Sequence, residues 1–292
     1  MPELPEIEMY LHALRPRIVG AHIEGVRIAS FSLLRTYDPS TEALVGTQVL
    51  DVGRVGKRIV IDVSGDLHCV IHLMVAGRFR WNEEPKPIPK RGGLAAIDFS
   101  TGSLLLTEAG TKRRASMSIL RTADLDTVDP GGIEVASATL KEFDAAFRTN
   151  RHTLKRALTD ARYVSGIGGA FADEILHEAK LSPTQLNMNL GDDEVVALFE
   201  ATKSVLDRWT SLLIAETGDD FPKKVTAFHP EMAVHGKFGE ACPVCGAPIQ
   251  RIVAAKRETN YCPGCQTKGR ILADRSLSRL LKDDWPKTLE EL

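Results

Sequence analysis

The chain opens with Met1-Pro2-Glu3-Leu4-Pro5-Glu6-Ile7-Glu8, and this stretch combines a helix start with a candidate reaction centre. Proline is common at the first helical positions, and acidic side chains stabilise the positive end of the helix dipole. Apolar residues then recur at helical spacing before Gly20 ends the pattern; they are Ile7, Leu11, Leu14 and Ile18. The stretch therefore predicts a helix that packs on a core and leaves its first residues at an exposed end.

Removal of Met1 by an aminopeptidase, which the small residue behind it favours, would turn the ring nitrogen of Pro2 into a secondary amine. An α-amino group has a pKa of roughly 7.7 to 8.0, so much of it is nucleophilic at neutral pH. The carboxyl groups of Glu3 and Glu6 are near enough in sequence to move protons around whatever this amine attacks. Amine and acid together favour Schiff-base chemistry at a sugar or carbonyl carbon. The alternative is that the stretch only starts a helix.

The composition of this 292-residue chain allows two domains and a small appended module. No apolar run of membrane-spanning length and no signal peptide is present, so we expect a soluble protein that is cytoplasmic or nucleoid-associated. We also expect a monomer. The net charge of −2 argues against a nucleic-acid binder, but residues 221–282 hold 11 Lys and Arg against 4 Asp and Glu. Several basic clusters on one chain favour a single basic groove.

Four of the five cysteines form two Cys-x-x-Cys pairs with sixteen residues between them: Cys242 and Cys245, then Cys262 and Cys265. This spacing is typical of one structural Zn²⁺ held by four thiolates, with no position open for substrate. Ribbons of this kind also occur as modules that only bind other proteins. Cys69 stands alone in an apolar run and is predicted to be a buried core thiol.

The first half of the chain contains eight short β-rich runs separated by Gly, Pro, Asp and Asn. They cover residues 22–28, 48–52, 58–63, 67–73, 77–81, 94–99, 103–107 and 116–120. Eight short strands with no helix between them predict an antiparallel sandwich or barrel.

Helical patterns dominate after a hinge at residues 125–135. They cover residues 139–150, 153–159, 170–179 and 192–216. We therefore predict an α+β fold with two lobes. The predicted parts are a β-sandwich domain (1–125), a helical domain (133–225), a zinc ribbon (234–268) and a C-terminal extension (269–292), in which Leu277, Leu280 and Leu281 suggest a short helix.

The opening, the turn Gly166-Ile167-Gly168-Gly169 and the cysteine pairs together resemble the formamidopyrimidine-DNA glycosylase and endonuclease VIII family of DNA-repair enzymes. Matches extend from about Pro2 to Gln266. The resemblance implies a helix-two-turn-helix element around the glycine turn, damaged double-stranded DNA as partner, and base excision repair as the process. It implies a bifunctional DNA glycosylase and abasic-site lyase that removes oxidised bases.

The resemblance also implies residue roles. Pro2 is the nucleophile, Glu3 the general acid and base, Lys57 a catalytic contact to the phosphate beside the lesion, and Glu6 a residue that orders the N-terminus. The DNA-binding residues carried over in this way are Met74, Val75, Arg113, Arg114, Lys155, Gly168 and Arg257.

Several positions depart from the family pattern. Met74 and Val75 occupy the glycine and methionine positions of the family's His-Leu-Gly-Met-Ser-Gly turn, and a buried apolar turn is the alternative. The loop 108–116 keeps its arginines but lacks the aromatic wedge, and Gly169 replaces an asparagine. Residues 217–231 are shorter than the loop that closes over 8-oxoguanine, so oxidised pyrimidines and formamidopyrimidines stay open as substrates. The alternative function is a DNA-binding protein that kept the fold and lost the chemistry.

Overall fold

In the computed structural model the predicted N-terminal helix is α1, Leu4–Ile18. Its start is fixed by a hydrogen bond from the backbone N–H of Glu3 to Oε2 of Glu6, at 2.8 Å. The predicted apolar stripe is buried, since the exposure of Ile7, Leu11, Leu14 and Ile18 is 3% or less. The helix contacts two strands, Val49–Val55 and Arg58–Val63, so the first residues of the chain are anchored to the core.

The structure describes residues 1–110, 112–254, 257–274, 278–280 and 286–292. They divide into two units, Met1–Pro130 with Trp209–Thr226, and Gly131–Arg208 with Ala227–Leu292. Within the described ranges, no helix is long and apolar enough to cross a membrane. Leu277 and Leu281 of the predicted C-terminal helix lie outside the described residues.

The eight predicted strands of the first unit are confirmed, with ends that differ by no more than three residues. They are β1 (Ile23–Ile28), β2 (Val49–Val55), β3 (Arg58–Val63), β4 (Leu67–His72), β5 (Gly77–Asn82), β6 (Gly93–Phe99), β7 (Gly102–Glu108) and β8 (Ser116–Arg121). They form two four-stranded antiparallel sheets, in the orders β1-β6-β7-β5 and β2-β3-β4-β8.

The two sheets form a sandwich because their inward side chains share one core. Ile59 and Ile61 of β3 and Leu104 and Leu106 of β7 belong to the same buried cluster, as alternation along a pleated strand requires. Cys69 of β4 is fully buried in it, and burial raises the pKa of its thiol to about 12. The prediction of a buried core thiol is confirmed, and burial of this kind makes a thiol unreactive.

The second unit contains the predicted helices and a short hairpin. The helices are α2 (Leu140–Phe147), α3 (Leu154–Leu158), α4 (Gly169–Glu178), α5 (Asp192–Thr217), whose last residues belong to the first unit, and α6 (Pro263–Thr267); the hairpin strands are β9 (Gln250–Ala254) and β10 (Arg257–Tyr261). Thr139 and Glu142 cap α2 reciprocally, through Glu142 N–H to Thr139 Oγ1 and Thr139 N–H to Glu142 Oε2. Residues 218–249, all described, contain no helix or strand.

Two leucines of the first unit test the sandwich core. Leu14 is fully buried, whereas the side chain of Leu50 is 57% exposed. We expect Leu14→Ala to lower the free energy of unfolding by about 2 to 5 kcal/mol, because a cavity is left behind. Leu50→Ala should change it by no more than about 0.5 kcal/mol. Urea unfolding measures both, and equal losses would contradict this assignment of the core.

Candidate active site and zinc site

The first candidate site lies at the start of α1, where Pro2, Glu3 and Glu6 are all buried. Burial, with the nearby charge of Glu3, raises the pKa of the Glu6 carboxyl to about 8. Glu6 is therefore largely neutral at pH 7 and accepts the Glu3 N–H bond with its Oε2 atom. The carboxyl groups of Glu3 and Glu6 thus differ in environment. Such a difference allows two carboxyl groups in one site to have different acid–base roles.

Four charged side chains act on the pKa of the amino end of the chain. Burial lowers the pKa of the Met1 α-amino group; the charges of Glu3 and Glu6 raise it, and those of Arg78 and Lys57 lower it. The structure thus brings three of the predicted catalytic residues together around this amine. Because Met1 is present, the nitrogen of Pro2 is an amide in this structure.

Lys57 lies in the turn between β2 and β3 and is half-buried. Burial lowers the pKa of its ammonium group, and the negative charge of Glu3 opposes that change. Its neighbour His72 has a pKa lowered to about 4, first by burial and then by the charges of Arg58 and Lys57. This end of the sheet is therefore electropositive beside the amine, as an approaching phosphate requires.

Arg78 is a member of the site that the sequence did not reveal. Its Nε donates to the carbonyl oxygen of Val225 at 2.9 Å, and its Nη1 donates to that of Gly77 at 2.7 Å. The only sequence signal was its position directly after the turn that holds Met74 and Val75. These hydrogen bonds hold its guanidinium group against the carbonyl group of Val225, which is 147 residues further along the chain.

The turn that contains Met74 and Val75 is tight and exposed. Met74 has a φ of +53°, and the N–H of Gly77 donates to the carbonyl oxygen of Leu73 at 2.9 Å. A Cβ on Gly77 would lie 2.2 Å from that oxygen, so only glycine fits there. Val75 is 59% exposed and Met74 is half-buried, so the alternative of a buried apolar turn is wrong.

The loop 108–116, which contains Arg113 and Arg114, is held by a buried acidic side chain. Glu108, which is 1% exposed, accepts the backbone N–H groups of Arg114 and Ala115 at 2.8 and 3.0 Å. The residues Arg113 and Arg114 themselves are exposed. The loop therefore presents two cations from a fixed backbone.

In the second unit, Gly168 is the N-cap residue of α4, after Gly166 with a φ of +80°. A Cβ on Gly169 would meet nothing within 4 Å. The space at this position would therefore accept the asparagine that the resemblance to the family predicts there. Lys155 is ion-paired: its Nζ lies 2.6 Å from Oδ1 of the buried Asp173 and donates to the carbonyl oxygen of Glu258. Arg257, at the start of β10, is exposed.

The four paired cysteines converge as predicted. The Sγ atoms of Cys242 and Cys265 are 3.8 Å apart, and those of Cys245 and Cys262 are 3.3 Å apart. Zn–S bonds of about 2.3 Å in a tetrahedron place sulfurs about 3.8 Å apart, so the set fits zinc. A Cβ on Gly264 would lie 2.8 Å from the Cys245 sulfur, so glycine makes room for that ligand.

One histidine missed by the sequence analysis joins this cluster. Nε2 of His177, on α4, lies 3.3 Å from Sγ of Cys242. His177, Cys242, Cys262 and Cys265 offer ligand atoms that all lie within 4.8 Å of one another. No spacing in the sequence links His177 to the cysteine pairs, because 65 residues separate it from Cys242.

Family models match three consecutive parts of the chain. They are the formamidopyrimidine-DNA glycosylase N-terminal domain over residues 1–117, the formamidopyrimidine-DNA glycosylase H2TH domain over 131–212, and the zinc finger found in FPG and IleRS over 239–268. The matched zinc finger and the sulfur cluster together confirm one structural zinc.

Similar proteins cover almost the whole chain. The formamidopyrimidine-DNA glycosylase of Listeria innocua is 30% identical over 91% of this chain and 100% of its own. That of Desulforamulus reducens is 32% identical over 91% of this chain and 99% of its own. Among solved structures, Lactococcus lactis Fpg bound non-covalently to DNA with an abasic site is 25% identical, with a TM-score of 0.80 over 91% of this chain and 99% of that one. MutM in complex with DNA containing carbocyclic 8-oxoguanine gives a TM-score of 0.79 at 25% identity, over 91% of this chain and 100% of that one.

The two antiparallel sheets, the helical region around the glycine turn and the zinc finger define the architecture of a DNA-repair glycosylase. The chain belongs to the formamidopyrimidine-DNA glycosylase family, as its opening, glycine turn and cysteine pairs predicted.

The raised pKa of Glu6 predicts a pH dependence of stability. Its folded value of about 8 lies above the ordinary 4.5, so between these values the folded chain binds a proton that the unfolded chain has lost. The free energy of unfolding therefore falls as pH rises through this range. In Glu6→Gln we expect the free energy of unfolding to fall much less with rising pH than in the wild type. In the exposed control Glu24→Gln we expect it to fall as in the wild type. Urea unfolding at about pH 5 and about pH 9 compares the three proteins, and an unchanged slope in Glu6→Gln would contradict the raised value.

Proposed function

We propose that this chain is a DNA glycosylase of base excision repair that is also an abasic-site lyase, with the nitrogen of Pro2 as nucleophile once Met1 is removed. The observation that carries the proposal is the set of groups around the amino end of the chain: Glu3, Glu6, Lys57 and Arg78 all act on the charge of its amine. An amine beside two carboxyl groups and two cations suits attack on a sugar carbon next to phosphates. Family membership supports the glycosylase activity and gives no support to an inactive DNA-binding protein.

The first chemical step exchanges the base for the enzyme. The Pro2 nitrogen bonds to C1′ of the damaged nucleotide as the bond from C1′ to the base breaks, and the base leaves as an anion that takes a proton from water. Glu3, first as general base, accepts the proton that the Pro2 nitrogen loses. As general acid it then donates this proton to the ring oxygen, so the sugar opens and an iminium Schiff base joins Pro2 to C1′. Glu6 stays protonated and orders the backbone at Glu3 without reacting.

The lyase steps follow from the charge of that Schiff base. The iminium acidifies the C–H bond at C2′, and loss of this proton expels the phosphate at C3′ in a β elimination. A second, δ elimination expels the phosphate at C5′, which leaves a gap in the strand. Lys57 contacts the phosphate beside the lesion, where its half-buried ammonium group stabilises the charge that develops.

Each unit offers its own contacts to damaged double-stranded DNA. In the first unit the exposed turn at Met74 and Val75 enters the space left by the extruded nucleotide, and the exposed Arg113 and Arg114 bind the strand around it. In the second unit Gly168 presents the backbone N–H groups of α4 to a phosphate, and Arg257 grips another. Lys155 supports these contacts indirectly, through its bonds to Asp173 and to the carbonyl of Glu258 next to Arg257.

We also propose the domain limits that the sequence predicted: a catalytic sandwich at 1–125, a DNA-binding helical domain at 133–225, a ribbon at 234–268 and an extension at 269–292. The family models over 1–117, 131–212 and 239–268 lie close to these limits. A protein of this kind acts on chromosomal DNA, so we propose that it lies in the cytoplasm, at the nucleoid. We propose that it is a monomer.

The nucleophile is tested by borohydride trapping on a duplex with one abasic site. Protein that mass measurement shows to lack Met1 should form a covalent adduct that maps to Pro2. Pro2→Gly should trap and nick far more slowly, and Glu3→Gln should lower the rate by about 10²- to 10⁴-fold, because a positioned general acid is lost. Pro85→Gly, in an exposed loop, is the matched control and should behave as wild type.

Two results would overturn the proposal. One is the absence of an adduct from zinc-loaded protein that has a free Pro2 and still binds the duplex. The other is a normal adduct from protein that retains Met1, because its Pro2 nitrogen is an amide and cannot form a Schiff base.

A further inference from the structure

Helix α4 holds the segment before the cysteine pairs and the hairpin between them through buried polar side chains. Glu174 accepts three successive backbone N–H groups, from residues 233 to 235, at 2.8 to 2.9 Å. Asp173 accepts the backbone N–H of Asn260 at 3.2 Å and lies 2.9 Å from Nδ1 of His235. One turn further along, at the spacing that places side chains on the same helix face, is His177.

His177 continues this face as far as the metal site. The residue is 6% exposed, and its Nε2 atom lies 3.3 Å from Sγ of Cys242, which is itself 3% exposed. A neutral imidazole has one N–H donor and one acceptor nitrogen, so Nε2 either binds the metal or donates to a sulfur. The two roles require different protonation of the same atom.

The surroundings of Cys245 decide whether His177 binds the metal or donates a hydrogen bond to a sulfur. If His177 were a ligand, one cysteine would be left over, and Cys245 is the one outside the four-residue group that includes His177. Yet the Cys245 sulfur lies 3.3 Å from that of Cys262, and the absence of a Cβ on Gly264 gives it room. Four sulfurs therefore complete a tetrahedral shell, which leaves His177 outside it.

The charge of that shell explains what a histidine can do there. Zn²⁺ with four thiolates has a net charge of about −2, and a buried charge needs hydrogen-bond donors. The backbone N–H groups of Val244 and Cys265 already point at the sulfurs of Cys242 and Cys262, each at 3.4 Å. A metal-bound thiolate only accepts hydrogen bonds, so Nε2 of His177 must donate to Cys242.

We propose that His177 is a positioning residue of the zinc site, whose Nε2–H group donates to the Cys242 thiolate, joins α4 to the ribbon and slows the loss of zinc. Residues that hydrogen-bond metal ligands in this way tune metal affinity without touching the metal. The proposal depends on the zinc site and not on which residue is the nucleophile of the DNA chemistry.

Zinc release to a chromogenic chelator tests the donor. His177→Phe keeps a ring of similar size and removes the donor, so we expect zinc to leave about 10-fold faster or more. His177→Gln places an amide N–H where Nε2 stood and should release zinc close to the wild-type rate. The exposed His12→Phe, in the first unit, is the control for the loss of a histidine that makes no contact with the cysteines, and it should not change the rate. A wild-type rate in His177→Phe would overturn the proposal.

Cadmium-113 NMR gives a second measurement. It uses the wild-type chain, so its result does not depend on whether a variant folds. We expect a chemical shift typical of four sulfur ligands, together with nitrogen-15 shifts that place the imidazole proton of His177 on Nε2. A shift typical of three sulfurs and one nitrogen, with the proton on Nδ1, would make His177 a ligand and overturn the proposal. In that case His177→Gln would also lose zinc as fast as His177→Phe.

Discussion

The structure of the amino end depends on one buried hydrogen bond, from the backbone N–H of Glu3 to the carboxyl group of Glu6. It fixes the first turn of α1, and the apolar stripe behind it ties that turn to the sandwich. The chain end would otherwise have the freedom of an ordinary terminus. Because this bond is buried, the amino end is held where two cations lower the pKa of its amine: Lys57, in the turn between β2 and β3, and Arg78, of β5.

The same burial separates two carboxyl groups that are only three residues apart. A second negative charge beside Glu3 in a desolvated position is unfavourable, so Glu6 retains its proton to about pH 8. In the proposed mechanism Glu6 is then a structural group, and Glu3 is the carboxyl group left for proton transfer. The division of labour comes from position, since the two side chains are chemically the same.

Sequence predicted those features whose cause is local. The strand β3 follows from a short β-rich run between turn residues, and the helical stripe of α1 follows from periodicity. The zinc site follows from the spacing of cysteines within 24 residues. Arg78 and His177 were missed because their partners are 147 and 65 residues away, and no local pattern records such a contact. The exposure of Val75 also required the structure, because an apolar turn reads the same in sequence whether it is buried or not.

Gly169, the first residue of α4, has a consequence for how the second unit meets a nucleic acid. Glycine at a helical position costs up to about 1 kcal/mol relative to alanine, and here no neighbour would obstruct a side chain. A ligand that approaches this helix end therefore meets the peptide backbone at position 169 with no side chain in the way. Peptide groups do not distinguish one nucleotide from another. Contacts from this helix end therefore depend on the position of the DNA phosphates and not on the base sequence.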